Sequence, residues 1–163
     1  MKKIYILRHA KAEKEIKIDD FSRKLTKRGK DELKILLQRL QKYEIKWDRI
    51  YASPAFRTKK TAKIIAKNYA YDKKEIDLIA AFYEADEMWL FAFLKNLDES
   101  IDNVLLVGHN PALLKLCELL SSLCLHSFPT SSMLCLECES FKDLKEHGAK
   151  LVFFEHIKPL KEN

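Results

Sequence analysis

Glycine and proline are scarce in this sequence, 3 and 4 residues of 163. Such a chain is not collagenous, linker-rich or disordered. Long hydrophobic runs are missing too. The longest fully apolar stretch is the seven residues from Met88 to Leu94, far short of the roughly 18 needed to span a bilayer. Residues Met1-Lys2-Lys3-Ile4-Tyr5-Ile6-Leu7-Arg8 set basic residues before apolar ones. That apolar stretch is too short for the h-region of a signal peptide. What is present is 47% hydrophobic and 33% charged, the mix of a soluble globular protein. The length fits one domain over 1–163, and the expectation is a cytoplasmic one with no membrane contact.

Arginine is also sparse. Only 6 of the 30 basic residues are Arg, although phosphate-recognising surfaces favour its planar fork. The net charge of +6 therefore rests on lysines, mixed with acids as in Asp31-Glu32-Leu33-Lys34. They read as solvated faces, and nucleic acid is not the expected partner. The four cysteines fall in the last third. Cys135 and Cys138 have the gap of a zinc knuckle, but Cys117 and Cys124 lie seven apart in an apolar stretch. Buried free thiols are the expectation, with no metal site.

Short β-like runs alternate with longer helical stretches, which points to an α/β fold. Lys3–Leu7 reads as a buried first strand and Arg49–Ala52 as a second. A third lies within Ile76–Ala81. Val104–Val107, apolar without alternation, reads as a strand buried on both faces. Met133–Cys138 and Leu151–Phe154 read as a closing hairpin. A helical stripe runs through Leu33, Leu36, Leu37, Leu40 and Tyr43. Ser53-Pro54 opens a second helix as cap and first residue, carrying Ala62, Ile65, Ala66 and Tyr69. Leu90, Phe93, Leu94 and Leu97 mark a third. Asn110-Pro111 opens a fourth through Leu113–Leu123.

In open α/β sheets, ligands bind where strands end and helices begin. Arg8 and His9 follow the first strand. Arg57 falls in the first turn of the helix after the second, and His109 precedes the helix after the fourth. Two arginines, two histidines and two helix N-termini on one edge favour an anion. Two guanidinium forks can hold the non-bridging oxygens of a phosphoryl group. A histidine, ordinarily with a pKa of about 6.5, is partly neutral near pH 7 and can act as a nucleophile. Cationic neighbours disfavour its protonation. His126, His147 and His156 sit in no motif and read as structural. Arg57 has no acid at helical spacing, and Arg23 and Arg28 read as pocket mouth or surface ion pairs.

In order, the chain contains Leu7-Arg8-His9-Ala10, Leu25-Thr26-Lys27-Arg28-Gly29, Ser53-Pro54-Ala55-Phe56-Arg57-Thr58, Thr61-Ala62, Phe82-Tyr83-Glu84-Ala85 and Val107-Gly108-His109-Asn110-Pro111. These motifs resemble the histidine phosphatase superfamily (phosphoglycerate mutase-like), and within it the SixA-like phosphohistidine phosphatases. The resemblance implies a three-layer α/β/α sandwich whose central sheet is mostly parallel, with one antiparallel edge element. It also implies catalysis by His9, which becomes transiently phosphorylated, with Arg8, Arg57 and His109 completing the phosphate pocket. No cofactor or metal is implied. The superfamily's Arg-His-Gly is here Arg-His-Ala, a mark of the branch.

By the same resemblance Glu84 is the general acid, with Asp86 and Glu87 as competitors. An alcohol, with a pKa of roughly 16, leaves poorly without a proton. Imidazole, with a pKa of about 6.5, leaves readily from phosphohistidine. Only Lys11–Lys24 and Ala80–Glu87 are available to roof the pocket. An open site of that kind suits a histidine-phosphorylated protein, of phosphorelay or phosphocarrier type, with the enzyme a monomer or weak dimer. A small-molecule phosphomonoesterase and a non-catalytic phosphate-binding module are the alternatives.

Overall fold

A computed structural model describes residues 1–14 and 18–157. One six-stranded sheet runs through them, built from β1 (Lys2–Arg8), β2 (Arg49–Ala52), β3 (Asp77–Leu78), β4 (Asn103–Gly108), β5 (Met133–Cys138) and β6 (Lys150–Glu155). The spatial order is β3-β2-β4-β1-β5-β6. The pairings of β1, β2, β3 and β4 are parallel. β5 runs antiparallel to both of its neighbours. The expected mostly parallel sheet is therefore present, with its antiparallel member one strand in from the edge and its hairpin partner β6 outside it.

Four helices cover the sheet: α1 (Lys27–Leu40), α2 (Phe56–Asn68), α3 (Glu87–Lys95) and α4 (Ala112–Leu120). Successive strand side chains point to opposite faces. Tyr5, Leu7, Leu105 and Val107 pack with residues of α1 and α2, while Ile4, Ile6, Val104 and Leu106 pack with those of α3 and α4. That double burial is why β4 lacks alternation. Each of its four fully buried aliphatic residues contributes about 1.5–3 kcal/mol of transfer free energy.

Helix starts depart from the expectation. Ser53 donates its N–H to the Val107 carbonyl at 3.1 Å, so the chain continues the β2–β4 ladder and stays extended there. α2 consequently begins at Phe56, and Ser53 and Pro54 precede it rather than cap it. α4 begins at Ala112, one residue beyond the cis Asn110–Pro111 bond, and Asn110 Oδ1 accepts from the Leu114 amide at 3.2 Å. The third strand shrinks to Asp77–Leu78, because a 3-10 turn over Ala80–Tyr83 buries Phe82. Leu97 follows α3 rather than belonging to it.

The Leu25–Gly29 motif has a packing reason. Thr26 caps α1, accepting from the Gly29 amide at 2.9 Å, and the Lys11 carbonyl accepts from the Thr26 amide at 3.0 Å. A Cβ on Gly29 would collide with that same Lys11 carbonyl oxygen. The loop after β1 is thereby pinned against the start of α1.

Cys117, Cys135 and Cys138 are buried free thiols as expected, whereas Cys124 is exposed. Cys135 packs on the α1/α2 side of the sheet and Cys138 on the other, so the sheet itself separates the two residues with zinc-knuckle spacing.

Candidate active site

Strand register assembles the site. Arg8 pairs with Gly108 across β1 and β4, and Ala52 pairs with Val107 across β2 and β4. The residues that follow, His9, Ser53 and His109, therefore emerge side by side from the carboxyl ends of three adjacent parallel strands. Arg57 reaches the same place from the first turn of α2. Arg8, His9, Arg57, His109 and Glu84 all line one cavity of about 550 Å³. The four residues expected around a single anion are thus together, with the imidazole centroids of His9 and His109 5.5 Å apart.

His9 is 7% exposed, and its Nδ1 lies 2.7 Å from the Ala10 carbonyl. A carbonyl only accepts, so Nδ1 carries the proton and Nε2 the lone pair. Burial chiefly, with added repulsion from His109, Arg8 and Arg57, lowers the His9 pKa to about 3 against the raising effect of the Ala10 bond. Ala10 is fully buried in the core below, and its amide donates to Thr61 Oγ1 at 3.0 Å. Its methyl packs into that core. The Thr61 of the Thr61-Ala62 motif thus fixes the backbone on which the His9 ring depends.

His109 lies with Nε2 2.7 Å from Ser53 Oγ. Burial first, then Arg57 and Arg8, brings its pKa to about 4, with Asp20 opposing. Its ring is therefore neutral at pH 7 and has one N–H to give. Arg8 donates from Nη1 to the Phe128 carbonyl at 3.1 Å, and Asn110 Nδ2 donates to the same oxygen at 2.8 Å. Arg8 Nε, Arg57 Nε and His109 Nδ1 are buried with no hydrogen-bond partner among the described residues. An unmet buried donor costs about 1–3 kcal/mol, and the three residues that carry these nitrogens line the one cavity.

One carboxylate lining this cavity carries no sequence signal. Asp20 accepts from Arg57 twice, Nη1 to its carbonyl at 2.7 Å and Nη2 to Oδ2 at 3.0 Å. It also accepts from Tyr83 Oη at 2.6 Å and from Arg23. The Tyr83 hydrogen bond first, then the two arginines, lowers its pKa to about 2. Helical spacing around Arg57 could not reveal this acid, which comes from 37 residues away. Arg23 lines the cavity, while Arg28 pairs with Glu32.

Glu84 lines the cavity, but Asp86 does not. Asp86 caps α3, accepting from the Trp89 amide at 2.8 Å. Both expected roof segments contribute, through Lys11, Ala12, Asp20 and Arg23 and through Tyr83 and Glu84; residues 15–17 of the first lie outside the described residues. Thr130, from the loop before β5, completes the wall and carried no sequence signal. His126 and His156 border a separate surface hollow, and His147 donates its amide to Leu119.

The sequence model of the histidine phosphatase superfamily (branch 1) matches residues 4–87. The chain belongs to this superfamily. A structure from Agrobacterium tumefaciens, assigned as a phosphohistidine phosphatase SixA, superposes with a TM-score of 0.80 at 25% identity, covering 96% of this chain and 98% of that one. The protein histidine phosphatase SixA complexed with tungstate superposes equally well, TM-score 0.80, at 20% identity over 93% and 95%. A phosphoserine phosphatase from Entamoeba histolytica shares the fold more distantly, TM-score 0.66 at 17% identity over 99% and 100%. The mitochondrial serine/threonine-protein phosphatase Pgam5 of Drosophila ananassae is 39% identical over 57 residues, 35% of this chain and 20% of that protein. The match thus spans about a fifth of that relative's length. This histidine phosphatase has a SixA-like architecture, and among the described residues no helix is long and apolar enough to cross a membrane.

Proposed function

We propose that this histidine phosphatase removes the phosphoryl group from phosphohistidine on a partner protein, through a phospho-His9 intermediate and without a metal. The observation that carries the reading is the Nδ1 bond of His9 to Ala10, which leaves Nε2 unprotonated in a ring lining a cavity with two guanidinium groups. Nε2 attacks phosphorus in line, the P–N bond to the substrate imidazole breaks, and that imidazole, already protonated on its other ring nitrogen, leaves as the neutral base. Arg8, Arg57 and the His109 N–H hold the equatorial oxygens through the transfer. Water then attacks phospho-His9, releasing inorganic phosphate and restoring the neutral ring.

An imidazole leaving group requires little acid assistance, which fits a cavity in which the carboxylate beside Arg57, Asp20, has its pKa lowered to about 2. The similarity to SixA structures points to the same substrate class. Residues 1–163 are proposed as one domain working in the cytoplasm, where free thiols persist. Glu84 in the cavity wall favours a second reading, hydrolysis of small phosphomonoesters. Turnover of a phosphohistidine peptide and of a phosphomonoester, both with chelator present, tests the two. Inorganic phosphate released faster from the peptide is the expected result; release from the ester alone overturns the proposal.

A further inference from the structure

Beside the phosphate cavity lies a groove of about 300 Å³ between the start of α1 and the outer face of α2. Lys24, Lys30, Lys59, Lys60 and Lys63 line it. Among the described residues none of these five side chains forms an ion pair, whereas the nearby Lys27 is matched by Asp31. Helix α2 contains no acidic residue at all. The mixed acid–base pattern that makes a charge run a solvated face is absent from α2. Leu25 and Phe56 supply apolar surface within the groove, and Phe56 is 43% exposed.

The groove adjoins the chemistry directly. Lys24 follows Arg23, and Phe56 precedes Arg57, and both arginines line the phosphate cavity. The Ala12–Leu25 bridge joins a residue lining the cavity to one lining the groove. A macromolecule with its phosphoryl group among Arg8, His9 and Arg57 has these lysines within reach of its neighbouring surface.

We infer that this groove docks an acidic, partly apolar segment next to the phosphohistidine of the substrate protein, and so selects which phosphoproteins are hydrolysed. This rests on the phosphohistidine reading above and adds the chemistry of the partner to it. Five unpaired ammonium groups raise the local concentration of an acidic segment and slow its departure. The apolar floor of Leu25 and Phe56 favours a folded or peptide surface over nucleic acid, whose contacts fall mainly on phosphates.

The test uses the full chain and two synthetic phosphohistidine peptides, one flanked by a run of glutamates with a leucine, the other by serine and glutamine. Phosphoramidate serves as a small P–N substrate that cannot reach the groove. The acidic peptide is expected to show a KM lower by roughly tenfold, and the preference disappears in Lys59→Glu/Lys60→Glu/Lys63→Glu and in about 0.5 M salt, where the screening length is only a few ångströms. Phosphoramidate turnover by the variant stays at the wild-type rate, which also shows that it is folded. Lys60→Glu alone, at an exposed position, is expected to give a partial loss. Equal KM values for both peptides, or a preference that survives in the triple variant, overturns the inference. So does a single-stranded oligonucleotide that displaces the acidic peptide and itself loses binding in the variant. Hydrolysis of neither peptide nor phosphoramidate by the wild type instead overturns the phosphohistidine reading itself.

Discussion

Asp20 holds Arg57 by both of its terminal nitrogens, Nη1 to the backbone carbonyl at 2.7 Å and Nη2 to the carboxylate at 3.0 Å. The carboxylate thus sits where an oxygen of a bound phosphoryl group would compete for the same guanidinium. A unit charge at about 4 Å is worth several kcal/mol at an effective dielectric near 20. Asp20→Asn is therefore expected to tighten competitive inhibition by inorganic phosphate at least about tenfold, measured as Ki. An unchanged or weaker Ki would show that Asp20 orients Arg57 rather than competing with the ligand.

Acidification is expected to destabilise the fold through the buried imidazole of His9 and the partly buried one of His109. Their pKa values are lowered to about 3 for His9 and about 4 for His109, against about 6.5 in the unfolded chain. Below pH 6.5 the unfolded state binds protons that the folded state refuses, so stability falls as pH drops from 6.5 toward 4. Each imidazole contributes up to about 1.4 kcal/mol per pH unit in that window. Ring NMR signals of both residues are expected to stay constant from pH 8 to pH 5. Titration of either near 6.5 contradicts the burial argument.

Much of this site was legible in the sequence because its parts are local. A strand followed by Arg8-His9, or by Gly108-His109, fixes both the edge and the residue that leaves it. What escaped was set by tertiary contact. Asp20 gave no signal, since it meets Arg57 only after the loop beyond β1 folds back. Ser53 looked like a helix cap because Ser-Pro commonly is one. The β2–β4 ladder holds it extended and turns its hydroxyl to His109. The run of apolar residues in β4 gave its double burial correctly, but no pattern could distinguish β5 inside the edge from β5 at it.

Ser53→Ala tests the link to His109. Loss of the 2.7 Å bond to Nε2 frees the ring to change its tautomer and orientation. The expected result is a kcat lower by about 10- to 100-fold with little change in KM, and partial recovery in Ser53→Thr. Equal losses in both variants would indicate a packing defect alone.

Gly29→Ala is expected to cost about 1–3 kcal/mol of stability, because the new Cβ meets the Lys11 carbonyl. Chemical denaturation measures it. A midpoint equal to wild type would mean that the loop after β1 yields without cost.

Glu84→Gln separates leaving groups. Its cavity position allows proton donation to an alkoxide. The substitution is expected to slow phosphomonoester hydrolysis about 100-fold or more and phosphohistidine hydrolysis by less than about fivefold. Equal losses on the two substrates would assign Glu84 to binding.

Covalent transfer of the phosphoryl group to His9 is open to direct observation. Rapid quenching during turnover of a phosphohistidine peptide, followed by peptide mass spectrometry under alkaline conditions, locates the phosphoryl group. One phosphoryl group is expected on His9, formed as fast as the first turnover and absent from His9→Ala, which should be folded and inactive. Steady turnover by His9→Ala at the wild-type rate would contradict it.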